Sequence, residues 1–269
     1  MTVVAVLSMK GGVGKTTVTL GLASAAWSRD LTALVIDLDP QANATMAIDV
    51  TDPVFTTSDV LADARPGVAQ DAIVESGWGS GVSVIASERA LEHRNVAAGR
   101  NSALRLRTSL ATTPRQYDIV LIDCPPSLGE LTRNALSVAD RAVIVTEPNH
   151  FALHGAAEAL EAVDVIAAAT NPGLRAATVV INRLRPDDRE HALHVDQLRT
   201  AHGTLVFEHT LPECSGVPLS QRANSPLHAW NSPGSREVAD LFDDLLDALL
   251  PPPKTAPREQ PFSLKRYLS

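Results

Sequence analysis

The sequence predicts an α/β fold, with helices covering both faces of a doubly wound, mostly parallel sheet. Two observations carry that expectation. Six short apolar runs, Val3–Leu7, Ala33–Ile36, Val82–Ile85, Ile119–Ile122, Ala142–Val145 and Thr178–Ile181, are continuous rather than alternating with polar residues. Strands buried on both faces, as in a parallel sheet under helices, read that way. Between and after these runs, apolar residues recur at helical spacing instead. Strand alternating with helix implies crossover connections, and it places a ligand at the carboxyl ends of the strands.

Taken in order, the first run leads directly into Ser8-Met9-Lys10-Gly11-Gly12-Val13-Gly14-Lys15-Thr16-Thr17 and then a helix. Residues 51–80 are mixed and rich in turn formers, which predicts short peripheral helices and loops. One helical stripe is Leu128, Leu131, Ala135 and Val138; a second is Leu153, Ala156, Leu160, Val163 and Ala167. A third, Val238, Leu241, Phe242, Leu245 and Leu249, has aspartates on its remaining faces. All three are expected to face the core. With no internal repeat or linker, residues 1–250 are expected to form one domain. The proline-rich stretch 251–269 is expected to be an extended or disordered tail.

Composition narrows the function classes. The chain has 269 residues, of which 45% are apolar and 20% charged, enough to bury a sizeable core and too apolar for disorder. Two cysteines, Cys124 and Cys214, exclude a disulfide scaffold and fit a reducing compartment. No apolar run approaches the length of a membrane span and no secretory leader is evident, so a cytoplasmic location is expected. The formal net charge of −8 argues against wholesale coating of nucleic acid or anionic lipid, while leaving room for a local basic face.

The glycine-rich stretch has the strand–loop–helix context of a phosphate cradle. Glycines let backbone N–H groups converge on phosphate oxygens, and the helix N-terminus favours negative charge. Lys15 is placed to reach the β- and γ-phosphates, and Thr16 offers a hydroxyl to Mg²⁺. Two features are unusual: Met9 stands where the ordinary pattern has glycine, and a second lysine, Lys10, opens the loop.

This loop, Lys10 to Thr17, resembles the deviant Walker-A loop of the ParA/MinD family of P-loop ATPases. Two further segments fall where the resemblance expects them, Asp37-Leu38-Asp39-Pro40-Gln41-Ala42-Asn43-Ala44-Thr45 and Val120-Leu121-Ile122-Asp123-Cys124-Pro125-Pro126-Ser127-Leu128-Gly129. Glu147-Pro148, Phe151-Ala152-Leu153 and Asn182 extend the likeness to about residue 230. It is greatest to the short, Soj-like ParA proteins that lack an extra N-terminal DNA-binding region.

The resemblance implies ATP and Mg²⁺ as ligands and a homodimer that sandwiches ATP. Lys10 would then touch the phosphates of the other subunit, with Lys15 acting in cis and Gly11, Gly12, Val13, Gly14, Thr16 and Thr17 completing the cradle. Asp39 matches the acid that orients the attacking water. Asp37 and Asp123 match acids that hold Mg²⁺ through water, although Asp-X-Asp-Pro also makes a good turn. Asn182, Pro212 and Glu213 match an adenine pocket, with helix capping as the alternative for Asn182. Partners implied are nonspecific DNA and a ParB-like activator, with a nucleoid-associated location and chromosome or plasmid partition as the role. Arg189 and Arg222 are the candidate DNA contacts, although acids outnumber arginines around them. A larger basic excess lies at 88–115, where six arginines face two glutamates. Two alternatives stay open: a MinD-like membrane-associated ATPase, acting through the stretch 261–269, and an ATP-switched scaffold without DNA. An iron–sulfur bridge of the nitrogenase iron-protein kind is not expected, because Cys124 and Cys214 sit in different motifs.

Overall fold

The computed structural model describes residues 1–99, 101–112, 116–174 and 178–250. The stretch 251–269, with its expected tail, lies outside them. Seven strands form one sheet: β1 (Thr2–Leu7), β2 (Ala33–Asp37), β3 (Ile73–Glu75), β4 (Val82–Ile85), β5 (Ile119–Asp123), β6 (Arg141–Thr146) and β7 (Thr178–Ile181). Their order across the sheet is β3-β4-β2-β5-β1-β6-β7, and every pairing is parallel except β3 with β4. All six predicted strands are present. The seventh, β3, is a three-residue antiparallel edge strand, too short to carry a periodic signal.

The crossovers fix where the motifs meet. Strand β1 lies between β5 and β6, and β2 flanks β5. The loop after β1 and the ends of β2 and β5 are therefore neighbours in space, though the first and last of them are over a hundred residues apart in sequence. Register makes this concrete, since Asp37 at the end of β2 pairs directly with Asp123 at the end of β5. On the other side, β6 ends at Thr146 and β7 at Ile181, which brings Glu147 and Asn182 to the same edge.

Alternate residues of β1 feed two cores. Val3, Ala5 and Leu7 pack beneath α3 (Thr57–Asp63), α4 (Arg105–Leu110), α5 (Glu130–Val138) and α6 (Ala152–Ala169). Val4 and Val6 face α1 (Lys15–Ser28) and α9 (Ser235–Leu249). Helix α1 is buried from Val18 to Ala26 and carries Gly21 in its middle. A Cβ there would collide with the ring of Phe242, so the glycine is what lets α9 seat an aromatic ring against α1. Arg29 at the end of α1 adds hydrogen-bonded ion pairs to Asp243 (2.9 Å) and Asp247 (2.6 Å) of α9.

The third stripe packs as expected, with Val238, Phe242, Leu245 and Leu249 buried. The second is rotated. Helix α6 buries Ala152, Ala156, Ala159 and Val163, while Leu153 is 39% exposed. The alanines let α6 approach the sheet closely, and Leu153, one position round from Ala152, turns outward. Leu128 precedes α5 rather than belonging to it, packing half-buried against the core.

Candidate nucleotide site

The loop after β1 is set by its own hydrogen bonds and by a strand two places away. Ser8 Oγ accepts from the Lys10 N–H (3.1 Å) and donates to the Lys10 carbonyl (2.9 Å). Gly14 caps α1 in the left-handed region at φ 92°, where a side chain would be strained. A Cβ at Gly14 would also strike Asn182 Nδ2. That amide donates to the Val13 carbonyl at 2.8 Å, so the residue after β7 holds the loop in place. Asn182 therefore caps no helix.

Helix α1 begins at Lys15 and has no acidic residue in its first turn, leaving its N-terminal amides and partial positive charge free for an anion. Lys15 is only 6% exposed, and among the described residues no carboxylate lies within ion-pairing distance of it. A buried unpaired cation is unfavourable on its own account and fits an anionic ligand.

Asp123 accepts from Thr16 Oγ1 (2.7 Å) and Thr19 Oγ1 (3.1 Å). Asp37 accepts from the Asp39 N–H (3.0 Å) and from both the N–H (2.9 Å) and hydroxyl (2.8 Å) of Thr45. Asp37 thus makes the turn its sequence suggests while facing the second acid. Burial, with help from Asp37, pushes the Asp123 carboxyl up to about 7, and burial pushes Asp37 up to about 6. Two buried carboxyls beside a threonine hydroxyl form an all-oxygen donor set that suits a hard divalent cation and its waters.

Asp39 lies beyond this pair at the cleft wall, its Oδ1 accepting from the Gln41 N–H (2.9 Å) and its carbonyl from Ser87 Oγ (2.7 Å). The cleft itself, about 480 Å³, is lined by Gly14, Lys15, Thr16, Asp39, Arg183 and Arg222 among others. An adjoining cavity of about 450 Å³ has Thr17, Asn182, Pro212, Glu213 and Phe242 in its walls. Gly11, Gly12, Gly14, Lys15 and Thr16 thus line one cavity, and Thr17, Asn182, Pro212 and Glu213 its neighbour; Asp37 and Asp123 are fully buried and line neither, Asp123 meeting the first through Thr16.

Lys10 stands apart. It is exposed and borders a separate cavity of about 330 Å³ with Phe151 and His154. The two lysines of one loop thus face different spaces. Arg189 is exposed at the first position of α7 (Arg189–His202), whereas Arg222, read from sequence as a DNA contact, lies in the cleft. In the 88–115 window, Arg105 and Arg107 donate to the carbonyls of Leu61 and Thr170, while Arg100 and Arg115 lie outside the described residues. Cys124 is fully buried, and its desolvated thiol is driven well above the ordinary range; Cys214 borders the cavity lined by Asn182 and Glu213.

The sequence assigns no role at this site to Thr19, Gln221 or Arg183, and none to Thr45 beyond its place in the Asp37–Thr45 motif. Thr19 was open to detection, being one helical turn after Thr16 and so on the same face. Gln221, which donates to Thr17 Oγ1 (3.3 Å), and Arg183, which pairs with Glu147 (2.9 Å), carry no local signature.

A doubly wound sheet with this loop at the end of an interior strand defines a P-loop NTPase of the deviant Walker-A type. A family profile described as an AAA domain matches residues 1–176. The chromosome partitioning protein ParA of Myxococcus xanthus is 30% identical over 225 residues, covering 81% of this chain and 77% of that protein. The sporulation initiation inhibitor protein Soj of Bacillus subtilis is 31% identical over 247 residues, covering 90% of this chain and 96% of that protein. The chain belongs to the ParA/MinD family. Among solved structures, cobyrinic acid a,c-diamide synthase of Mycobacterium smegmatis, with bound ADP and magnesium, superposes with a TM-score of 0.75. It is 23% identical and covers 93% of this chain and 94% of that one, a likeness of fold.

Proposed function

We propose that the chain is a Mg²⁺-dependent ATPase that closes into a dimer around two ATP molecules, holds DNA without sequence preference, and partitions or positions cargo with a ParB-like activator. The observation that carries the reading is Lys15, a buried cation without an ion-pair partner among the described residues, at the head of a helix with no acid in its first turn. The names of the relatives support the partition role, and the solved structure with ADP and magnesium supports the ligands.

Each residue has a physical task in this reading. The loop amides and Lys15 take the charge of the β- and γ-phosphates. Thr16, Asp37 and Asp123 would hold Mg²⁺, the acids through water. The bound cation would offset charge on the phosphate oxygens. Asp39 orients the attacking water, and Lys10, facing outward, reaches the nucleotide of a second copy. Asn182, Pro212 and Glu213 border the base. The proposed location is the cytoplasm, with the dimer on the nucleoid, in keeping with the partition role of the relatives.

The test is retention of a nonspecific DNA duplex, and the oligomeric state, with ADP, ATP and a slowly hydrolysed ATP analogue. Retention and dimer formation with the triphosphates alone support the reading. A dimer that ignores DNA points instead to a scaffold, and one that sediments with liposomes to a MinD-like cycle. The variant Lys15→Ala should lose nucleotide, whereas Lys10→Ala should bind nucleotide as a monomer and fail to dimerise.

A further inference from the structure

Resting on the nucleotide reading above, we infer that Arg222 is a cis contact to the polyphosphate of its own protomer's nucleotide rather than a DNA contact. Arg222 ends α8 (Gly216–Arg222) and lines the same cleft as Gly14, Lys15 and Asp39. Two flanking residues that line the cleft with it, Gln221 and Asn224, are tied to separate segments of the chain. Gln221 donates to Thr17 in the first turn of α1, and Asn224 donates to Asp49 Oδ1 at 3.0 Å, just beyond α2 (Asn43–Ala47). The stretch carrying Arg222 is therefore anchored on both sides of it while forming part of the cleft wall.

Charge completes the case. Of the two arginines lining the cleft, Arg183 is already engaged by Glu147 at 2.9 Å. Among the described residues, Arg222 makes no ion pair and no side-chain hydrogen bond, although Asp39 lines the same cleft. A guanidinium presents a planar fork of donors that matches phosphate oxygens, and one held over an anion-binding loop has that ligand within its own subunit. A DNA contact would require the same group to turn away from the cleft.

Calorimetric titration of the full chain with ADP and Mg²⁺, in the absence of DNA, tests this directly. Loss of one charge-assisted hydrogen-bonding group predicts that Arg222→Ala binds ADP about 5–20-fold more weakly than the wild type. Arg222→Lys should recover part of that loss, and Arg222→Glu should bind more weakly than the alanine variant. Because the side chain is exposed, all three should melt near the wild-type temperature. At saturating concentrations of the slowly hydrolysed ATP analogue, Arg222→Ala should retain nonspecific duplex DNA as the wild type does. Unchanged ADP affinity in both the alanine and glutamate variants would overturn the inference, as would selective loss of DNA with normal ADP binding. Failure of the wild type itself to bind ADP would overturn the nucleotide reading, and this inference with it.

Discussion

Replacing Asn182 by alanine separates two roles that the sequence alone merges. In the structure its amide reaches the Val13 carbonyl at 2.8 Å, with both residues buried. Removing the donor leaves a buried carbonyl without that partner, a loss of about 1–3 kcal/mol. For a chain of this size that corresponds to a fall in Tm of roughly 3–10 °C in the protein without ligand. The loop that Asn182 holds should also lose its preset shape, and ADP affinity should fall about tenfold, the equivalent of about 1.4 kcal/mol. Asn182→Asp should be worse, since a carboxylate oxygen would face the Val13 carbonyl and add negative charge beside the phosphate loop. Differential scanning fluorimetry reads the first effect, and titration with ADP and with inorganic tripolyphosphate reads the second. Tripolyphosphate is the decisive probe because it has no base. If Asn182→Ala kept the wild-type Tm and tripolyphosphate affinity and lost only ADP, the residue would be a base contact and the tether argument would be wrong.

Three further outcomes follow from the packing and the acids. Gly21→Ala gains about 1 kcal/mol of helix propensity, but overpacking against Phe242 costs about 1–3 kcal/mol, so urea unfolding should register a net loss. Adding Phe242→Leu should restore part of it, and a stabilised single variant would contradict the packing. Asp37 and Asp123 hold their protons more tightly folded than unfolded, so the folded state takes up protons between about pH 4 and 7. Stability of the ligand-free protein should therefore fall as pH rises through that window, by on the order of a few kcal/mol, and Asp123→Asn should flatten the slope in thermal melts. Asp39→Ala should bind ATP and lose hydrolysis by a hundredfold or so, as expected for a group acting on the attacking water, in a phosphate-release assay with parallel titrations. Loss of ATP binding in that variant would remove Asp39 from the water-positioning role.

Much of this site was legible because each motif sits at the end of a strand that announces itself. Asp37 and Asp123 close continuous apolar runs, and parallel pairing then makes them neighbours. The loop glycines and Lys15 were readable for the same reason. What escaped was set by tertiary placement. Nothing local to Asn182 says that its amide meets Val13, because that contact depends on β7 lying two places from β1. Arg222 reads from the sequence as a candidate DNA contact, and its place in the wall of the cleft with Lys15 follows only from the packing of α8. The outward turn of Leu153 reflects a phase chosen by small alanines, whose packing a hydrophobic stripe does not report.

The ring of Phe242, seated against Gly21, also forms part of the wall of the cavity that holds Thr17 and Asn182, along with Val238. One contact thus serves both the packing of α9 on α1 and the enclosure of that cavity. A change that loosens α9, whether at Gly21 or at the ion pairs of Arg29 with Asp243 and Asp247, would open the cavity wall as well. A helix that supplies no residue to the phosphate loop therefore shapes the space beside it.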